Sequence, residues 1–153
     1  MKRFFVVLIL TVVIAGGLTY FMPRDFNCYV AEIAPNGTVS VYCRQSEIEG
    51  IDMGNGRIVQ CKVSELQSIL KKCNGVDGVS VSFDGNEEDI TRISQCLNLR
   101  VTHQYSLDGI EVVCGISSKV NGGVVVDGRT VNVQIAYKDG IVTVGSPLIL
   151  GSY

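Results

Sequence analysis

From residue 98 to the C-terminus the chain alternates apolar and polar positions in short runs, and Asp-Gly dipeptides punctuate them. Leu99, Val101, His103 and Tyr105 fall on one face of the first run. A turn at Leu107-Asp108-Gly109 follows, and Ile110, Val112, Cys114 and Ile116 share a face of the returning run. Further runs over 124–126, 130–137 and 141–144 are joined at Asp127-Gly128 and Asp139-Gly140. Period-two alternation with Asp-Gly turns at roughly eight-to-twelve-residue spacing predicts an antiparallel meander. Pro147 ends the last run, and the tail 148–153 is apolar enough to dock.

The first half of the domain mixes periods. Runs over 27–33 and 38–44 read as strands around Pro35-Asn36-Gly37, a hairpin signal because Asn and Gly tolerate positive φ. Asn36-Gly37-Thr38 is also a glycosylation sequon, although a turn already accounts for those residues. The polar, acidic stretch 45–56 reads as a loop that turns at Gly54-Asn55-Gly56, and 57–62 as a strand. No Lys-Ser/Thr pair follows those glycines, so they do not form a phosphate loop.

Two segments carry the helical period. Over 65–73, Leu66, Ile69, Leu70 and Cys73 make one apolar stripe behind Ser64 as cap, with Gln67 completing a capping box. Over 87–97, Ile90, Ile93 and Leu97 line one side, Asn86 is the cap, and Glu87, Glu88 and Asp89 suit the positive end of the helix dipole. Between the two, 76–83 alternates with Val79, Val81 and Phe83 on one face. The pattern predicts an α+β domain: a mostly antiparallel sheet with two short helices on one face and a wet opposite face.

The N-terminus departs from both periods. Residues 4–22 form a nineteen-residue uncharged run preceded by Lys2 and Arg3. At 1.5 Å per residue such a helix covers about 28 Å, close to the hydrocarbon core of a bilayer. Basic residues on the short side predict residues 1–3 as a cytoplasmic stub and 4–22 as a transmembrane anchor. A linker over 23–26 and one extracytoplasmic domain over 27–153 complete the organisation. Cleavage after Ala15-Gly16-Gly17 is the alternative; it yields a secreted domain, but the apolar run continues past those residues to Met22.

Charge and composition narrow the partners. The exported part holds eleven Lys/Arg and fifteen Asp/Glu, a net charge of −4, which disfavours nucleic acid and anionic lipid. The chain has no Trp, leaving little from which to build a sugar-stacking platform. Cys28, Cys43, Cys61, Cys73, Cys96 and Cys114 include no close pair, which removes the usual zinc and iron–sulfur spacings. Export and an even count suggest disulfides, whereas apolar placement suggests buried free thiols; both states stay open. These six are the candidate disulfide or buried cysteines.

No catalytic residue, metal ligand or cofactor-binding motif stands out. His103 is the sole histidine and lies on an apolar face by alternation, and no serine sits in a nucleophile elbow. The acids of 87–89 lack the spacing of a calcium loop, and Glu47, Glu49 and Asp52 cluster in a loop as any solvated loop allows. The sequence therefore predicts a non-catalytic, membrane-anchored module that meets another envelope protein. A small-ligand or peptide sensor is the alternative, and a small thiol- or carboxylate-dependent hydrolase comes third.

Overall fold

The computed structural model describes residues 22–151. The expected anchor, Met22 apart, lies outside the described residues. Among those described, no helix is long and apolar enough to cross a membrane.

Alternation builds an eight-stranded sheet in which every neighbouring pair is antiparallel. In chain order the strands are β1 (Thr38–Ser46), β2 (Ile51–Asp52), β3 (Arg57–Lys62), β4 (Cys73–Asp84), β5 (Leu99–Leu107), β6 (Ile110–Ser117), β7 (Val124–Val126), β8 (Arg129–Val131), β9 (Val133–Lys138) and β10 (Ile141–Ser146). The sheet order is β2-β3-β1-β4-β10-β9-β6-β5, and β7 and β8 form a separate hairpin. The predicted meander is present as β5-β6-β9-β10, with that hairpin inserted between β6 and β9. Its three Asp-Gly turns have positive φ at both residues, from 47° to 51° at Asp and 77° to 83° at Gly.

One face of the sheet carries the main core. Val39, Val41 and Cys43 are fully buried, with Val59, Cys61, Val79 and Val81 from the flanking strands. Three short helices cover this face: α1 (Val30–Ile33), α2 (Leu66–Leu70) and α3 (Glu88–Cys96). The cap predicted for α3 is present. Asn86 Oδ1 accepts from Glu88 N at 2.9 Å, and Asp89 Oδ2 accepts from Asn86 N at 3.0 Å. Ile93 and Leu97 of its apolar line are fully buried. The α3 segment carries the chain from β4, mid-sheet, to β5 at the far edge.

The opposite face is wet only in part. Val112, Cys114, Val131 and Ala136 form a second, smaller core, sealed by Val126 of the hairpin and by Leu148 and Ile149 of the tail. The tail docks by backbone as well: Ile149 N donates to Gln134 Oε1 at 3.0 Å and Leu150 N to Ser80 Oγ at 2.6 Å.

Several expectations are corrected. The run 27–33 is no strand; a 3₁₀ turn at Phe26–Cys28 precedes α1. Phe26, Val30 and Ile33 recur at helical spacing and are all buried, a period that outweighs the β-prone composition. Pro35-Asn36-Gly37 therefore joins a helix to β1 instead of closing a hairpin. Gly37 is there for close packing, since a Cβ would lie 2.6 Å from Val81 Cγ2. The 65–73 helix is shorter than predicted. It starts with a 3₁₀ turn at Val63–Glu65, where Glu65 Oε2 accepts from Lys62 N at 3.0 Å in place of a Ser64 cap. Cys73 belongs to β4, opposite Ser46 of β1, because the ladder takes its backbone groups.

Candidate functional site

The β5 end of the sheet carries two features, and the first depends on one irregularity. Registers with β6 run regularly from Leu99↔Ser117 to Val101↔Gly115, then resume one residue late at His103↔Cys114. The unmatched residue is Thr102, whose Oγ1 donates to Cys114 O at 3.2 Å. An inserted residue exchanges the faces of everything after it. The expected single face is thereby split. Leu99 and Val101 line a groove toward α3, whereas His103 and Tyr105 line a cleft on the opposite side.

That cleft, about 450 Å³, is where the candidate chemistry converges. A cross-strand row, His103↔Cys114↔Gln134, runs over β5, β6 and β9, and Tyr105, Asp127, Leu148 and Ile149 complete the walls. Sequence reasoning missed Gln134, which is 92% buried and held by the tail through Ile149 N. Proximity does not make this row a catalytic pair. His103 Nδ1 is engaged by Thr102 Oγ1 at 3.0 Å, and no hydrogen bond links the imidazole to the thiol among the described residues. Burial pushes the Cys114 thiol up, opposed in part by a hydrogen bond with Gln134. A reactive cysteine needs the opposite shift.

The remaining candidates lie elsewhere. All six cysteines are free thiols, with Cys28 exposed, Cys96 half-buried and the other four buried. Cys43 is pushed up to about 11, first by burial and then by the neighbouring Cys73 thiol. Burial also raises Cys61 and Cys96, the latter helped by the Glu32 carboxylate, which lies 3.3 Å from its Sγ. Glu47, Glu49 and Asp52 are exposed around β2, at the sheet edge opposite β5, so they do not meet His103. Asp52 Oδ1 accepts from Gly54 N at 2.7 Å, which makes it a turn residue. Among the described residues no three His, Cys, Asp or Glu are placed to hold a metal ion.

The other feature is the outer edge of β5. This nine-residue strand pairs with β6 alone, so one row of its backbone N–H and C=O groups meets no other strand among the described residues. The opposite sheet edge, β2, is two residues long. Short strands blunt an edge; long ones invite pairing. Val101, Tyr105 and Leu107 of β5 are exposed by 48%, 46% and 63%. Alongside, a groove of about 420 Å³ runs between β5 and α3, lined by Ile90, Ser94, Leu99, Val101, Gln104 and Val113 among others. The position of β5 in the sheet order singles it out as the available edge.

Comparison of the chain with protein-family models, curated proteins and solved structures found no match in any of the three.

Proposed function

We propose that this chain is a membrane-anchored, extracytoplasmic and non-catalytic interaction module that captures an extended segment of another envelope protein on the β5 edge. The observation that carries the reading is a long, unpaired edge strand with exposed apolar side chains beside a groove. Strand addition draws affinity from main-chain hydrogen bonds and specificity from pockets for alternate side chains, and β5 offers both. The uncharged run at 4–22 supports the anchor, and the basic residues before it support the outward orientation. The separation of His103 from any thiol hydrogen bond supports a non-catalytic role.

The test is photo-crosslinking in intact cells with a crosslinking residue at Leu107, compared with one at Ile51 on the opposite edge. Capture of one defined partner at Leu107 and not at Ile51 is expected. Loss of that capture in the Val101→Lys/Tyr105→Lys variant is expected too, because charge on an edge blocks pairing. Both substituted side chains are exposed, so folding is retained. Equal capture at the two edges, or none, removes the reading. Membrane fractionation with external protease tests the anchor separately; a soluble, protease-protected protein contradicts it.

A second reading, a small-ligand sensor, has one observation in its favour: the cleft that gathers His103, Tyr105 and Gln134 under the tail. It predicts that a ligand perturbs the His103 ring resonances while leaving Leu107 crosslinking intact.

A further inference from the structure

We infer that the segment taken up by β5 is acidic in alternation, with carboxylate side chains on one face and apolar side chains on the other. This rests on the reading that β5 is a docking edge and adds the chemistry of its occupant. Side chains of an added strand point alternately to the two faces of the sheet. On the α3 face they would meet Ile90, Leu99, Val101 and Val113 with the uncharged Ser94, Gln95 and Gln104. That is a surface for apolar side chains.

On the other face they would meet cations. Residues 99–107 contain Arg100 and no acid, within a domain whose net charge is −4. Arg129 approaches from the β7–β8 hairpin, and its Nη1 donates to Thr102 O at 2.7 Å, at the bulge itself. Arg100 and Arg129 are both exposed, and neither forms a salt bridge among the described residues. Of the acids of this region, Asp108 lies in the turn after β5 and Glu111 opposite Ser106, whereas Asp127 at the hairpin tip lines the cleft with His103 and Tyr105. The cationic part of the edge is thus its start, where Arg100 and the Arg129 guanidinium on Thr102 O stand close to the bulge. A carboxylate there gains an arginine partner, and a lysine meets like charge. A second copy of the chain fits less well, since pairing β5 with β5 brings two acidic domains together and sets arginine-bearing strands side by side.

The experiment uses the full-length chain in detergent micelles and synthetic octapeptides of alternating Val-Glu or Val-Lys. Alternate amides are N-methylated so that each peptide can pair along one side only. The expected result is that the Val-Glu peptide binds about tenfold or more tightly than Val-Lys, that added salt weakens it, and that Arg100→Glu reverses the preference. Arg129→Glu is the second variant, and Val101→Lys should abolish binding of both peptides. Equal binding of the two peptides, lost in Val101→Lys, overturns the charge assignment and leaves the edge reading standing. No binding of either overturns the assignment; the edge reading then falls as well if the in-cell capture at Leu107 is also absent. A dimer by sedimentation that Val101→Lys dissociates makes the occupant a second copy and overturns the proposal.

Discussion

His103 stands directly across the β5–β6 ladder from Cys114, yet its Nδ1 turns to the hydroxyl of Thr102. A thiol that is buried and raised in pKa reacts slowly with electrophiles. Brief alkylation of the native protein at pH 8, read by mass spectrometry, should therefore label exposed Cys28 first and spare Cys43, Cys61, Cys73 and Cys114. His103→Ala should change the Cys114 rate by less than about twofold. A fall of about tenfold or more would mean that the imidazole activates the thiol after all.

Asp89 gives the domain an acid-labile component. Its carboxylate accepts the Asn86 amide and pairs with Arg92 at 2.8 Å, and these contacts, the backbone one foremost, hold its pKa below the ordinary carboxylate range. A depressed folded-state pKa stabilises above the unfolded value of about 3.9 and loses that contribution as pH falls through the folded value. Asp89→Asn should reduce stability by about 0.5–1 kcal/mol at pH 7. The difference from the parent should shrink below about pH 4. Urea denaturation at pH 7 and pH 3 measures both, and a difference unchanged at the lower pH contradicts the assignment.

Asn132 is a structural residue of a different kind. It is 2% exposed, and its Oδ1 accepts from Ser117 N at 2.7 Å while Nδ2 donates to Ser117 O and Val120 O at 2.9 and 2.8 Å. Asn132→Ala strands these buried groups and should lower stability by about 3 kcal/mol in a denaturant titration. Asn132→Asp should be worse than Ala, because a carboxylate placed against two carbonyl oxygens has no proton to donate. Equal losses would show that the side-chain amide is not what matters.

Gly145 sets whether the tail can lie down. A Cβ at this position would sit 2.5 Å from the Ile149 backbone, which no side-chain adjustment relieves. Gly145→Ala should lift residues 148–150 from the second face. Hydrogen exchange at the Ile149 and Leu150 amides should then speed up by about tenfold or more, while the core amides of β1 and β4 keep their protection.

Legibility followed locality. The Asp-Gly hairpins and the Asn86 cap are written in adjacent residues, and they appear where the pattern puts them. Phe26, Val30 and Ile33 were legible too, but a β-prone composition masked their helical spacing. Thr102 was not legible: a bulge depends on how β6 pairs with β5, and nothing in the run around it breaks alternation. The same holds for Asn132, which divides the predicted 130–137 strand because its side chain serves the β6–β7 connection. As for the site, the sequence identified His103 and the cysteines as candidates. The choice of β5 as the open edge came only from strand order, which eight interleaved strands do not display in one dimension.

The attachment at Arg24 has a mechanical consequence. Its N–H donates to Lys119 O at 2.8 Å and its C=O accepts from Asn121 N at 2.9 Å, so the chain is fastened there, two residues after Met22. Two extended residues reach about 7 Å, too short to act as a tether. With the proposed anchor in a bilayer, the domain would be held close to the lipid surface, with little spacer to let it swing or search. The beginning of β5 is close to that attachment, since Asn98 Nδ2 bonds Ser118 Oγ at 3.1 Å. From there the strand extends over about 30 Å, the length of nine extended residues. With so short a spacer, a partner of the proposed anchored module would have to bring its segment close to the membrane, so access there becomes part of the recognition.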